Sequence, residues 1–308
     1  MKFHRKVAQG FSFCATVFAI LFTISTCALA QTPTAGAPAK PKPSPSPSPK
    51  PSLEKNLLRN ILHDQRAIWL SPFSIHHDDV KWLVPLGIST AVLIGTDRRT
   101  SAELLEGGSH QTRLNVSHDI SKAASYPSVI GAVAAFYLVG RAKNDQRARE
   151  TGLLAAEALI DGNLVAMGLK LATQRPRPNS DNGRGRFRAD GSSFPSGHAI
   201  NAWALASVVA QEYKDRPLVK WGMYGLATAV SVSRYTGRSH FLSDVLVGSA
   251  IGYGIGRYVY HEHHDKSLDG DQDNTITTSL RRSKFFPMIA PQYSRVARAY
   301  GLTLAWSF

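Results

Sequence analysis

The sequence predicts a mainly α-helical bundle with a possible short β-hairpin at its carboxyl end. Three observations predict it. Segments rich in Ala, Leu, Val and Gly carry apolar residues at helical intervals over most of the chain after residue 52. The last nine residues, YGLTLAWSF, alternate apolar and small or polar residues in the manner of a strand. Eight of the 17 prolines fall between Pro33 and Pro51, which separates an amino-terminal segment from the part that folds.

Taken in order, Lys2, Arg5 and Lys6 form a basic start, Phe11 to Thr26 is mostly apolar, and Ala28-Leu29-Ala30 supplies the small residues a signal peptidase reads. Residues 1–30 therefore read as an export signal, with an uncleaved anchor as the alternative because the apolar stretch approaches the roughly 20 residues that span a bilayer. Residues 31–52 are a Pro-rich spacer, since repeated proline fixes the backbone and nothing there can be buried. Helices are expected over Leu53 to Leu62, Trp82 to Ile94 (starting near Pro85), Pro127 to Val139, Thr151 to Thr173, His198 to Tyr213, Leu218 to Val232 and Phe241 to Tyr260. These fill a domain at 53–264. Glu157, Asp161 and Asp244 interrupt the apolar runs, which favours a soluble or membrane-surface bundle over helices embedded in lipid. The expected location is exported, periplasmic or envelope-associated, with an integral-membrane protein as the alternative.

Residues 265–308 form an acidic turn and an extension. DGDQDN at 269–274 lacks the Gly and Glu of a calcium loop. His261, His263 and His264 read as surface, because no acidic or Cys partner is matched to them in the sequence. Tyr300, Leu302, Leu304, Trp306 and Phe308 share one strand face, and Phe285-Phe286-Pro287 is a candidate start for the partner strand.

The formal charge of +14 falls to +11 without Lys2, Arg5 and Lys6, and to +8 without Lys40, Lys42 and Lys50. The excess favours anionic ligands, but no aromatic strand platform or nucleic-acid motif accompanies it, so no nucleic-acid partner is expected. Cys14 and Cys27 both precede residue 31, which excludes a cysteine nucleophile or cysteine-ligated metal from the folded part.

Three clusters carry chemistry. Lys170 is followed by LATQ and then Arg175-Pro176-Arg177-Pro178, a helix end leading into a stiff turn that can hold guanidinium groups around phosphate oxygens. Pro195-Ser196-Gly197-His198 precedes a helical run. Its unpaired amides and the Ser196 hydroxyl can receive an anion, Gly197 permits close backbone approach, and His198 can donate a proton near neutral pH. In the third, Ser233 to Asp244, His240 and Asp244 lie one helical turn apart, so that the carboxylate can orient one imidazole nitrogen and leave the other as a nucleophile, with Arg234 adding charge.

In this order and spacing the clusters closely resemble the pattern KxxxxxxRP, PSGH, SRxxxxxHxxxD of the type 2 phosphatidic acid phosphatase (PAP2) and vanadium haloperoxidase superfamily, which includes bacterial class A acid phosphatases. Sixteen residues separate the first two elements and 34 the second and third, and the match spans 75 residues. The resemblance implies a helical domain in which Lys170, Arg177, Ser196, Gly197 and Arg234 bind phosphate, His240 attacks phosphorus to form a phosphohistidine, Asp244 orients it, and His198 protonates the leaving group. It implies a metal-independent phosphatase with no cofactor, acting on phosphomonoesters, pyrophosphates or lipid phosphates. A haloperoxidase holding vanadate and a noncatalytic anion-binding envelope module are the alternatives. Spacing selects Arg177 over Arg175, which would face outward or lengthen the cationic pocket. Oligomeric state is left open.

Overall fold

The computed structural model describes residues 53–106, 110–180, 182–269, 288–294 and 299–305. The signal and spacer at 1–52, most of the acidic turn at 269–274 and Phe285-Phe286-Pro287 lie outside them. The chain divides into two units, residues 1–264 and 265–308. The first is all-α in its described part: α1 (Leu53–Leu70), α2 (His77–Glu106), α3 (His110–Ala123), α4 (Tyr126–Lys143), α5 (Gln146–Thr173), α6 (Gly197–Glu212), α7 (Pro217–Thr236) and α8 (Leu242–His263). In the second, a short 3-10 turn at Lys266–Asp269 precedes β1 (Met288–Ser294) and β2 (Ala299–Ala305), which pair antiparallel with Met288 opposite Ala305.

Local chemistry sets the helix ends. Asp145 caps α5 by accepting from Ala148 N at 3.0 Å, and Gln174 ends it in the left-handed region at φ 45°. Asn144 closes α4 in the same region at φ 56°. Pro85 lies inside α2, which starts at His77 rather than near that proline. A helix in lipid or protein tolerates the one backbone bond that proline removes when the residues around it stay helical.

The core lies between α4, α5, α6, α7 and α8, where Val129, Leu154, Ala158, Val208, Met223 and Val259 pack together. The closest approach is between α6 and α8. Gly248, Gly252 and Gly256 form a stripe at four-residue spacing, and a Cβ on them would fall 2.7, 2.2 and 2.5 Å from the carbonyl oxygens of Ser196, Ile200 and Ala204. The absence of side chains there lets two backbones touch. Because the contacts advance together along both helices, α6 and α8 run parallel, and both start at the same end of the bundle.

The apolar surface corrects the expected location. Among the described residues, three segments are long and apolar enough to cross a membrane: Asp79–Leu104, Gln111–Lys143 (which includes the α3–α4 junction) and Gln146–Thr173. At about 1.5 Å per residue each exceeds the roughly 30 Å hydrocarbon core of a bilayer. The most apolar stretch of the first buries no residue in the bundle, and Trp82, Ile88 and Val92 are more than half exposed. Integral-membrane placement therefore replaces the exported, periplasmic reading. That reading counted Glu157 and Asp161 against insertion, yet both are buried toward the bundle interior while Ile160, Leu164, Met167 and Leu171 of the same helix face outward. Carboxylates that point inward leave a lipid-facing surface apolar.

Candidate active site

The site forms where α5 and α7 end and α6 and α8 begin. From the last turn of α5, Lys170 Nζ donates to the backbone oxygens of Ser192 and Pro195 at 2.6 and 2.8 Å, which fixes the loop that leads into α6. Ser196 is the residue before α6, and its amide donates to Asp244 O at 3.0 Å, tying the start of α6 to that of α8. Gly197 lies against Tyr126, whose hydroxyl a Cβ would meet at 2.8 Å. The Tyr126 ring also meets His198 edge-on, at 5.7 Å between centroids.

His240 is buried at 2% exposure, just before α8. Its Nδ1 lies 2.8 Å from the carbonyl oxygen of Ser193. A carbonyl only accepts, so Nδ1 carries the proton, and in the neutral ring Nε2 holds the free lone pair. Asp244 Oδ2 lies 3.7 Å from Nδ1, beyond hydrogen-bond range. Its influence on the ring is therefore electrostatic and passes through Ser193, whose hydroxyl donates to Asp244 Oδ2 and lies 3.3 Å from Nδ1.

Asp244 is itself held on several sides. Phe241 N donates to Oδ2 at 3.0 Å, and Arg175 Nη1 donates to Oδ1 at 2.7 Å. Arg175 faces neither outward nor into the cationic pocket. It is buried at 1% exposure, its Nη2 reaches Asp97 Oδ2 at 2.9 Å, and the Phe241 ring lies 4.0 Å below its guanidinium carbon. Asp97 also accepts from the hydroxyl and amide of Ser243. Asp97, Ser193 and Ser243 had no place in the sequence reading. Ser243 lies inside the third motif and Ser193 two residues before the second, but only folding brings Asp97 of α2 to them.

Arg177 is exposed, while Arg234 is buried. Burial, then the charges of Arg234, His240, Arg177 and Lys170, push the His198 imidazole down to about 4. Burial likewise lowers His240 below its ordinary value, against the pull of Asp244. These mutual effects place Lys170, Arg177, His198, Arg234 and His240 in one electrostatic cluster. Two buried donors within it, Ser196 Oγ and Arg234 Nε, have no hydrogen-bond partner among the described residues. A cleft lined by Leu104, Pro178, Tyr235 and Arg238 reaches His240. Clustered cations with orphaned donors beside a histidine lone pair are an arrangement able to receive an oxyanion.

Comparison with known proteins narrows this class. The PAP2 superfamily profile matches residues 151–267, which include all three motifs. The chain is 39% identical over 80 residues to a lipid A 1-phosphatase of Porphyromonas gingivalis, a stretch covering 25% of this chain and 18% of that protein. It thus matches about a fifth of that relative's length. A transmembrane PAP2-type phosphatidylglycerolphosphate phosphatase from Bacillus subtilis aligns with a TM-score of 0.47 and 20% identity, over 59% of this chain and 97% of its own. The similarity to the PAP2 superfamily thus extends over residues 151–267, a little over a third of the chain.

Proposed function

We propose that this protein is a PAP2-type membrane phosphatase that hydrolyses phosphomonoesters, with lipid phosphates as substrates, through a phosphohistidine on His240. The observation that carries the reading is the pairing of a His240 ring anchored through Nδ1 with the partnerless donors Ser196 Oγ and Arg234 Nε. Lys170, Arg177, Arg234, Ser196 and the Gly197 amide hold the phosphate oxygens. The Nε2 lone pair of His240 forms a P–N bond as the P–O bond to the leaving group breaks, and His198 gives its proton to the departing oxygen. A water molecule then gives a proton back to His198 and its oxygen to phosphorus. The P–N electron pair returns to Nε2 and inorganic phosphate leaves.

The electrostatics suit this cycle. In the free site burial, and after it the surrounding cations, keep His198 neutral. A phosphate dianion offsets those cations, so the imidazole gains its proton when there is a leaving group to protonate. Asp244, held by Arg175 and Ser193, stabilises positive charge that builds on His240 during attack. A lipid substrate fits the apolar outer face of α2, since Leu104 of that helix lines the cleft that reaches His240. The lipid A phosphatase named above supports the same class.

The test uses the full chain purified in detergent, with phosphate release measured from a phospholipid monoester in mixed micelles and from a soluble aryl phosphate, and with the phosphoenzyme trapped by acid quenching. Faster turnover of the lipid and an acid-labile phosphoenzyme that His240→Ala abolishes are expected. A phosphoenzyme persisting in that variant would overturn the assignment of the nucleophile, and turnover of the soluble ester alone would overturn the lipid class.

A further inference from the structure

Away from the phosphate site, three acidic side chains converge inside the bundle. Asp64 of α1 and Glu157 and Asp161 of α5 are buried at 0, 1 and 0% exposure. His263, at the end of α8, places Nε2 2.9 Å from Asp64 Oδ2 and 3.4 Å from Glu157 Oε1. Ionised, the group holds three negative charges against at most two positive ones, on His263 and the exposed His63. Glu157 Oε1 and Asp161 Oδ2 have no hydrogen-bond partner among the described residues. Leaving such oxygens unpaired in a low-dielectric interior costs more than the imidazoles return.

A neighbouring cluster shows what balance looks like. There Glu150 and Glu212 face His264 Nδ1 at 3.1 and 3.5 Å, and Arg147 Nε lies 4.0 Å from Glu212 Oε2. Two acids meet two bases there, one of them a guanidinium whose charge is permanent. The bases facing Asp64 are two imidazoles, His263 and the exposed His63 at 3.6 Å from Asp64 Oδ1, which carry charge only when protonated.

We infer that Asp64, Glu157 and His263 form a binding site for a divalent transition-metal ion of the zinc class, with Asp161 at its edge. One nitrogen and two carboxylate oxygens are a donor set that zinc accepts. One ligand atom from each residue lies within 4.8 Å of the others. Tetrahedral ligands at 2.0–2.2 Å from an ion stand about 3.3 Å apart, and the two His263 separations fall on either side of that value. The ion takes the place of the proton on Nε2 and supplies the missing positive charge. Outer donors hold the carboxylates as at metal centres: Tyr258 OH donates to Asp64 Oδ1 at 3.2 Å, and Gln65 Nε2 to Asp161 Oδ1 at 2.9 Å. The site joins α1, which precedes the segment matched to the family, to α5 and α8. Its role is to lock that helix onto the bundle, away from the phosphate chemistry.

The experiment takes the untagged full chain in detergent, strips it with a chelator and titrates it with Zn2+ alone, reading heat, bound metal and the thermal midpoint. About one equivalent and a raised midpoint are expected. His263→Gln and Glu157→Gln should each weaken binding at least tenfold and remove the thermal response. Tyr258→Phe keeps every ligand and should weaken binding about tenfold with helical content unchanged. Glu150→Gln, in the balanced cluster, should bind as the parent does. No stoichiometric zinc in the parent, or equal binding by the parent, Glu157→Gln and Tyr258→Phe, overturns the site and leaves protons as the compensating charge.

Discussion

Toward its carboxyl end α5 offers Lys170 to a cluster with Arg177, Arg234 and two histidines, whereas midway along it turns Glu157 and Asp161 onto Asp64 and His263. About 20 Å of helix separates Glu157 from Lys170 at 1.5 Å per residue. One region has surplus positive charge and donors without partners, the other surplus negative charge and acceptors without partners. Beside the first region, Arg175 binds both Asp97 and Asp244, and serine hydroxyls and backbone amides complete that group. Surplus marks where a ligand belongs, and closure marks where the fold holds itself in place. The neighbouring arginines show it within three residues: Arg177 stays exposed with its charge on the cluster, while Arg175 is used up inside the protein.

The comparison breaks first at His240. Replacing it with Ala should lower turnover by at least about 10^4-fold, as loss of a nucleophile does elsewhere, with the thermal midpoint little changed. Residual turnover within tenfold of the parent would remove the surplus-charge end from the chemistry. Arg175→Ala should act on the fold instead. Leaving Asp97 and Asp244 buried without their cation costs about 3–5 kcal/mol, seen as a drop in unfolding midpoint, whereas Arg177→Ala should raise KM and leave the midpoint in place. Equal midpoints for the two variants would erase the distinction between them.

Smaller effects sharpen the picture. Ser196→Ala removes one orphaned donor and should cost about tenfold in kcat/KM, the worth of one hydrogen bond to a charged group. By NMR the His198 imidazole should titrate near 4 in the free protein and move upward when inorganic phosphate is added, because the anion offsets Arg234, Arg177 and Lys170. A downward or absent shift would place phosphate elsewhere.

The three motifs were legible in the sequence because their residues keep fixed spacing along the chain, and most of the helices because their apolar periodicity is local. α3 was missed, as its sequence HQTRLNVSHDISKA is largely polar. Asp97 and Ser193 were invisible because their roles depend on contacts with residues 146 and 51 positions away. Membrane placement was misjudged for a related reason: a sequence shows that Glu157 and Asp161 interrupt an apolar run, but not which way they point. The acidic partners of His263 were likewise hidden, lying 106 and 199 residues before it.

The glycine stripe that sets α6 against α8 has an electrical consequence. Parallel helices in contact bring two positive dipole ends side by side at Ser196 and Phe241, an arrangement that repels itself until an anion sits before it. α5 and α7 arrive with their negative ends and carry Lys170 and Arg234 on their last turns, so their own dipoles are answered by those side chains. The backbone of the bundle thus adds attraction for an anion that no side-chain substitution removes.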